Sequence, residues 1–465
     1  MDSSGVPNLE FPAEAFRTDD IRGRVGRDID ARFAHALGVA LAGYAAELDC
    51  RAIVIGKDAR LSSVELAAAL QAGVRETGMT VVDIGMATTP LVWFAARLTD
   101  TGAAVSVTGG HDSDAYNGFK VMLDGVTLGR PALRALRGRM QSAGAGAETP
   151  GARAQIDAGH CYISRLASDV RLDRAMKVAV DCGHGVAGVL APDALRELGC
   201  EVTELACEMT GDYPAEAASP GGSRQLAELV AHLRYTDCEL GLCIPGDGDR
   251  LMVVSRSGAT ICADRLLILL ARQVLSRRRG CVIHDVKSSR NLAREIQALG
   301  GTAVVSRSGD AHIGEKMRET GALLAGEMSG RIRFKDRWYG YSDGLYAAAR
   351  LLEILSRYED ASAVLDSLPQ SCVTPELCLD TPDGDHFQLV EALRTQGHFL
   401  GAREIIHLEG VRVEYEDGFG LARPSTARPA VMLRFEGDNG VALSRIQEDF
   451  RRQLLSVAPG LRLPF

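Results

Sequence analysis

RAIVIGKDARLSS (51–63) is a short apolar run that ends in a Gly/Ser turn. The same unit returns as MKVAVDCGHGVAG (176–188) and as CVIHDVKSSR (281–290). Each copy leads into a helical stretch that closes on glycine and a second strand: VRETGMTVVDIG (74–85), LRELGCEVTEL (195–205) and IQALGGTAVVS (296–306). Short, wholly apolar strands separated by helices predict a parallel sheet covered on both faces. Helix, glycine stop, strand is the expected αβ connection. Each unit then reaches another strand that runs into a loop: AAVSVTGGHDSDAYNGFK (103–120), LGLCIPGDGDRLMVV (240–254) and ALLAGEMSGRIRF (322–334). Three repeats of this kind predict three similar α/β domains, with ligands bound at the strand ends.

The C-terminal part reads differently. VRVEYED (411–417) and AVMLRFEG (430–437) alternate apolar and polar residues, as half-buried antiparallel strands do. DGFGLARPSTARP (417–429) between them is expected to be a loop, and NGVALSRIQEDFRRQLLSV (439–457) a helix. The expected fold class is therefore α/β: three mixed or parallel-sheet domains plus a C-terminal α+β domain, around a central cleft. The boundaries fall at 1–153, 154–257, 258–368 and 369–465, with joints near 144–154 and 359–369.

Composition narrows the function. A length of 465 residues suits several domains. A net charge of −9 argues against a general nucleic-acid binder, and Arg277, Arg278 and Arg279 end a helical pattern, where cations complement the dipole. No run is long and apolar enough to cross a membrane. The N-terminus lacks the basic region and apolar core of a secretory signal. The 11 cysteines form no C-x-x-C pair, and most sit in apolar runs. They are expected to be reduced, buried thiols of a cytoplasmic protein rather than zinc ligands.

Four loops carry side chains with chemical potential. Asp247 and Asp249, two apart in PGDGDR (245–250), either converge on a hard cation such as Mg²⁺ or form a solvated turn. Arg423, Ser425 and Thr426 make either a phosphate cradle, through forked guanidinium hydrogen bonds, or a capped turn. Glu327 and Ser329 in GEMSG (326–330) offer partners for sugar hydroxyls. His111, Asp112 and Lys120 surround two glycines in the first loop. Together they suit a polar, phosphorylated small molecule.

At these loops the sequence resembles the α-D-phosphohexomutases, especially bacterial phosphomannomutase/phosphoglucomutase. The likeness runs nearly the whole chain, through FRTDDIRG (16–23), GKDARLS (56–62), YNGFK (116–120), GDGDR (246–250), ADRLL (263–267), GALLAGEMSG (321–330), RWYGYSDGLYAAARLLEIL (337–355) and VRVEYEDGFGLARPS (411–425). The resemblance implies four domains around a deep cleft. It also implies a phosphoserine in the first loop that exchanges phosphate with a hexose phosphate, and Mg²⁺ on the second loop. No nucleotide or flavin is implied. Arg17, Arg22, His111, Lys120, Arg250, Lys287, Glu327, Ser329, Arg423 and Ser425 stand at positions matching the family's.

The departures lie in the catalytic loops. The family's first loop resembles T-G-S-H-N-P, and its serine is Gly110 here, followed by His111, Asp112 and Ser113. The first aspartate of D-G-D-G-D-R is Pro245, which leaves Asp247 and Asp249. The histidine after G-E-M-S-G is Arg331, a second is Asp310, and an opening tyrosine is Asp19. N-H-H-P-D-P reads AEAASP (215–220), and R-A-S-N-T-T reads R-P-S-T-A-R from Arg423. These losses point to a hexose-phosphate-binding pseudoenzyme that senses its ligand or modulates a partner, such as an active homologue or another protein, with Mg²⁺ weak or absent. The alternatives are an active phosphohexomutase, or a phosphoryl-transfer enzyme that uses another nucleophile, Asp112 or Ser113. Negative charge at Asp112 and Asp310 is expected to repel a second phosphate, which favours a monophosphate over a 1,6-bisphosphate.

Overall fold

The computed structural model describes residues 11–141, 147–211, 223–382, 384–425 and 428–465. Part of the 144–154 joint, the 215–220 stretch and Thr426 lie outside the described residues. The chain divides into two compact units. One holds residues 1–263, 309–319 and 329–367; the other holds 264–308, 320–328 and 368–465.

The first unit begins with β1 (Ile21–Arg24), α1 (Ala31–Glu47), β2 (Ala52–Lys57), α2 (Leu61–Glu76), β3 (Thr80–Met86), α3 (Thr89–Leu98), β4 (Ala104–Val107), β5 (Tyr116–Leu123), β6 (Val126–Thr127), α4 (Arg130–Gln141) and β7 (Arg153–Gln155). The sheet order is β1-β5-β4-β2-β3-β7. β2 runs parallel to β3 and β4, and β5 antiparallel to β4 and β1. Ile53, Val54 and Ile55 of β2 are buried, as the apolar run predicts for a central strand covered on both faces. Asp30 caps α1 through the Phe33 N–H. β7 extends the sheet from within the expected joint, pairing in parallel with β3.

A second sheet follows from α5 (Gly159–Asp169), β8 (Lys177–Asp181), α6 (Ala191–Glu197), β9 (Glu201–Leu205), α7 (Ser223–Tyr235), β10 (Leu240–Cys243), β11 (Met252–Ser255) and β12 (Thr260–Ile261). Its order is β12-β11-β10-β8-β9, parallel across β10, β8 and β9. The chain continues through α8 (Ala263–Arg277), β13 (Cys281–Asp285), α9 (Arg290–Ala298), β14 (Thr302–Ser306), α10 (Asp310–Thr320), β15 (Leu324–Gly326), β16 (Ile332–Phe334), α11 (Gly344–Leu355) and α12 (Ala361–Asp366). In the second unit β13 lies between β14 and β15, parallel to both. The expected joint near 359–369 contains a helix, α12, capped by Asp360.

The last sheet comprises β17 (Cys372–Val373), β18 (Leu377–Asp380), β19 (Glu404–Ile406), β20 (Val411–Tyr415), β21 (Gly418–Pro424) and β22 (Ala430–Gly437), with α13 (Asp385–Gln396) and α14 (Gly440–Val457). It is antiparallel, and Phe435, Phe450 and Leu454 are among its core residues. This gives the expected α/β repeats plus an α+β end. Two expectations are corrected. Residues 418–424, read as loop, form a strand paired on both edges, because Gly418 and Gly420 let other groups approach the backbone closely: Glu436 O and the Phe450 ring lie 2.1 and 2.2 Å from where their β-carbons would be. Cys161, Cys262 and Cys372 are exposed rather than buried. Among the described residues no helix is long and apolar enough to cross a membrane.

Candidate functional site

In the first unit, Asp58 directly follows β2 and organises the loop after β4. Its carboxylate accepts hydrogen bonds from Arg60 N and Nε, Ser63 Oγ, Thr108 Oγ1 and the Gly109 N–H. Arg60, also buried, donates to the carbonyls of Gly110, Asp112 and Ser113. This pair fixes residues 108–113. Gly110 adopts φ +56°, and a β-carbon there would lie 2.7 Å from Arg22 Nη2. Arg22 is held by Asp20 at 2.6 Å and Asp112 at 3.2 Å, with Arg17 3.5 Å from Asp112. Burial pushes the Asp20 carboxyl up, but Arg22 and its neighbouring cations prevail and hold it below the usual range.

The loop after β10 is pinned just as firmly. The Thr89 N–H donates to Asp247 O at 2.9 Å, Leu251 N–H to Gly330 O, and Gly344 N–H to Gly248 O. Lys120, from the middle of β5, reaches Asp247 Oδ2 at 2.6 Å and Asp249 Oδ2 at 2.8 Å. Thr89 Oγ1 donates to the same Asp247 oxygen at 2.5 Å. Arg331 Nε lies 2.9 Å from Asp249 Oδ2, and Arg250 Nε 3.7 Å from Asp249 Oδ1. His111 Nε2 is 3.2 Å from that Oδ1. Burial raises the Asp249 carboxyl, but Arg331 and Lys120 outweigh it and hold it well below the usual range. Burial, helped by Arg250, lowers His111 to about 4, so its imidazole is neutral at neutral pH. Asp310 accepts from Arg333 and from Ser342 Oγ. Burial opposes its ionisation, yet Arg331 and Arg333 bring it to about 2. Asp19 accepts the Asp310 and Ala311 N–H groups at the start of α10. Ser329 Oγ is buried and has no hydrogen-bond partner among the described residues.

In the second unit Lys287 lies 3.3 Å from buried Asp285, which also accepts the Met328 N–H next to Glu327, itself buried. Arg423, at the end of β21, pairs with Glu376 at 2.8 Å. Ser425 Oγ accepts the Arg428 N–H at 3.3 Å, and the Ser425 N–H bonds Ala430 O.

Three family models match in succession: phosphoglucomutase/phosphomannomutase alpha/beta/alpha domain I over residues 13–146, domain II over 160–258 and domain III over 263–372. The chain is 44% identical over 441 residues to a phosphoglucomutase of Neisseria gonorrhoeae, covering 94% of this chain and 96% of that one. It is 41% identical to a phosphomannomutase/phosphoglucomutase of Pseudomonas aeruginosa over the full length of both. This chain belongs to the α-D-phosphohexomutase family. The crystal structure of a phosphoglucomutase/phosphomannomutase family protein from Burkholderia thailandensis matches it with a TM-score of 0.92 at 42% identity, covering 98% of this chain and all of that one.

The phosphohexomutase family implies Mg²⁺ at Asp247 and Asp249, and the residues present do not fit it. Among the described residues His111, Asp247 and Asp249 form a cluster whose ligand atoms lie within 4.8 Å of one another. Mg²⁺ demands near-octahedral oxygen ligation. Here one oxygen of each aspartate is already taken by an ammonium or guanidinium group. Asp19, Asp112 and Asp310 do not join the two aspartates: one caps α10 and the others face arginines. Asp112 and Asp310, the residues expected to repel a second phosphate, are each paired with arginines. Sequence reasoning missed Asp58, Arg60, Asp20, Thr89 and Arg333. Asp58 and Arg60 stood inside GKDARLS, three charges after an apolar strand, which was the available signal.

Proposed function

We propose that this family member binds a hexose phosphate without phosphoserine-based mutase turnover, as a sensor or as a modulator of another protein. The observation that carries the reading is at Gly110: the position matching the family's serine has no side chain, and the Arg22 guanidinium lies 2.7 Å from where a β-carbon would stand. Ligand class is supported by the relatives, named for glucose and mannose phosphates. Arg423 and Ser425 are the groups proposed to hold the phosphate, and Glu327 and Ser329 the sugar hydroxyls. Lys287, Arg250 and Arg17 supply further positive charge. The test is conversion of glucose 1-phosphate or mannose 1-phosphate, with activating 1,6-bisphosphate, by the purified chain. Loss of a covalent nucleophile typically costs roughly 10⁴- to 10⁶-fold in turnover. Conversion at a mutase-like rate would overturn the reading.

A second reading, phosphoryl transfer through Asp112, is favoured by one contact. Its carboxylate faces Arg22 and Arg17, cations suited to a transferring phosphoryl group. Intact-protein mass after incubation with the 1,6-bisphosphate separates the two. A hydroxylamine-labile phosphoryl adduct would favour Asp112; an unchanged mass favours the binder.

A further inference from the structure

We propose that Arg331, acting with Lys120, is a built-in cation that replaces a divalent metal at the Asp247–Asp249 loop, so that the loop keeps its place with no metal requirement. The inference does not rest on the hexose-phosphate reading; it concerns only the ion balance within the first unit.

Three observations carry it. The first is saturation of the aspartates. Asp249 Oδ2 receives Lys120 Nζ at 2.8 Å and Arg331 Nε at 2.9 Å, and Asp247 Oδ2 receives Lys120 Nζ at 2.6 Å and Thr89 Oγ1 at 2.5 Å. The second is charge. Two carboxylates, each only 1% exposed, face the Lys120 ammonium and the Arg331 guanidinium, with Arg250 3.7 Å from Asp249, so their charge is compensated before any ion arrives. A dication entering here would meet two like charges at short range in a water-poor setting, where Coulomb terms are large. The third is that Arg331 is aimed. Residues 331 and 333 alternate along the chain into β16, and both address Asp310, with Arg331 Nε 4.0 Å from its Oδ2. The Leu251 N–H bond to Gly330 O ties the residue before Arg331 to the end of the aspartate loop. A guanidinium stays charged throughout the accessible pH range, so it compensates Asp249 permanently, as a histidine at that position would not.

Among the described residues His111 Nδ1 and Asp247 Oδ1 are buried without hydrogen-bond partners, and His111 with the two aspartates is the competing arrangement for a softer divalent ion. The test uses the whole chain after chelation and dialysis. Melting temperature and binding heat are read with EDTA, MgCl₂, MnCl₂ and ZnCl₂ in turn. Wild type is expected to melt at one temperature in EDTA and in millimolar Mg²⁺, with no stoichiometric binding heat. Arg331→Ala is expected to melt lower, to bind Mg²⁺ at least about tenfold tighter than wild type, and to regain melting temperature when Mg²⁺ is added. Arg331→Lys, which keeps the charge, should remain indifferent to metal. Stoichiometric, stabilising Mg²⁺, Mn²⁺ or Zn²⁺ binding by wild type would overturn the proposal. So would an Arg331→Ala protein that melts like wild type and ignores Mg²⁺. If that variant fails to fold, the wild-type titrations decide alone.

Discussion

At Gly110 the backbone runs at φ +56°, a conformation that costs L-residues with side chains about 1–2 kcal/mol. The Arg22 guanidinium, pinned by Asp20 and Asp112, lies 2.7 Å from where a β-carbon would stand. Gly110→Ser is therefore expected to lower stability in urea titration and to leave glucose 1-phosphate unconverted; a fast Gly110→Ser enzyme would refute the account of this loop. Lys120 is more costly to remove, because its ammonium lies within 3 Å of both loop aspartates. Lys120→Met should cost about 3–5 kcal/mol, the usual penalty for leaving one partner of a buried ion pair uncompensated. Chemical denaturation reads this directly, and a cost near zero would mean that Arg331 suffices. Single residues also mark where the sequence fell short. Asp112 and Asp310 were legible as added negative charge, yet their partners Arg22 and Arg333 lie 90 and 23 positions away, and only folding brings them together.

Among elements, β21 shows how a pattern misleads. DGFGLARP reads as a turn-rich loop because glycine dominates, but each glycine sits where another group presses on the strand. Gly420→Ala should force the added methyl into the Phe450 ring and cost about 1–3 kcal/mol by overpacking, measured as a shift in the urea midpoint. The start of α11 offers a pH test. Asp343 caps that helix and accepts from Tyr162 Oη, Trp338 Nε1 and the Tyr346 N–H. Burial dominates these hydrogen bonds and raises its carboxyl from 3.8 to about 6. Between those values the folded chain keeps a proton that the unfolded chain has released, so stability from this group falls as pH rises through that window. The loss is about 3 kcal/mol at about 1.4 kcal/mol per pKa unit. Asp343→Asn abolishes the titration. The unfolding free energy of wild type relative to this variant should therefore drop between pH 4 and pH 7, followed by the fluorescence of Trp93 and Trp338. An unchanged difference would show that Asp343 ionises normally.

For the whole molecule, ligand binding and folding are linked: a ligand that prefers the native state raises the melting temperature by mass action. Glucose 6-phosphate is expected to do so. Arg423→Ala should weaken its binding by roughly 10-fold or more, since a charge-assisted hydrogen bond contributes about 1.5–3 kcal/mol. Glu376 already holds the Arg423 guanidinium, so Glu376→Gln should tighten phosphate binding. Equal melting shifts in wild type and both variants would remove Arg423 from the phosphate site. The sequence by itself determined the α/β repeats, the C-terminal α+β end and the family, because strand apolarity, glycine stops and ordered loop motifs are local signals along the chain. It also located the departures at Gly110, Pro245, Asp310 and Arg331. Only the tertiary structure decided what those departures do. Charge balance depends on distances between side chains remote in sequence, and Lys120, Asp249 and Arg331 meet within 3 Å only because three separate segments converge on one buried point.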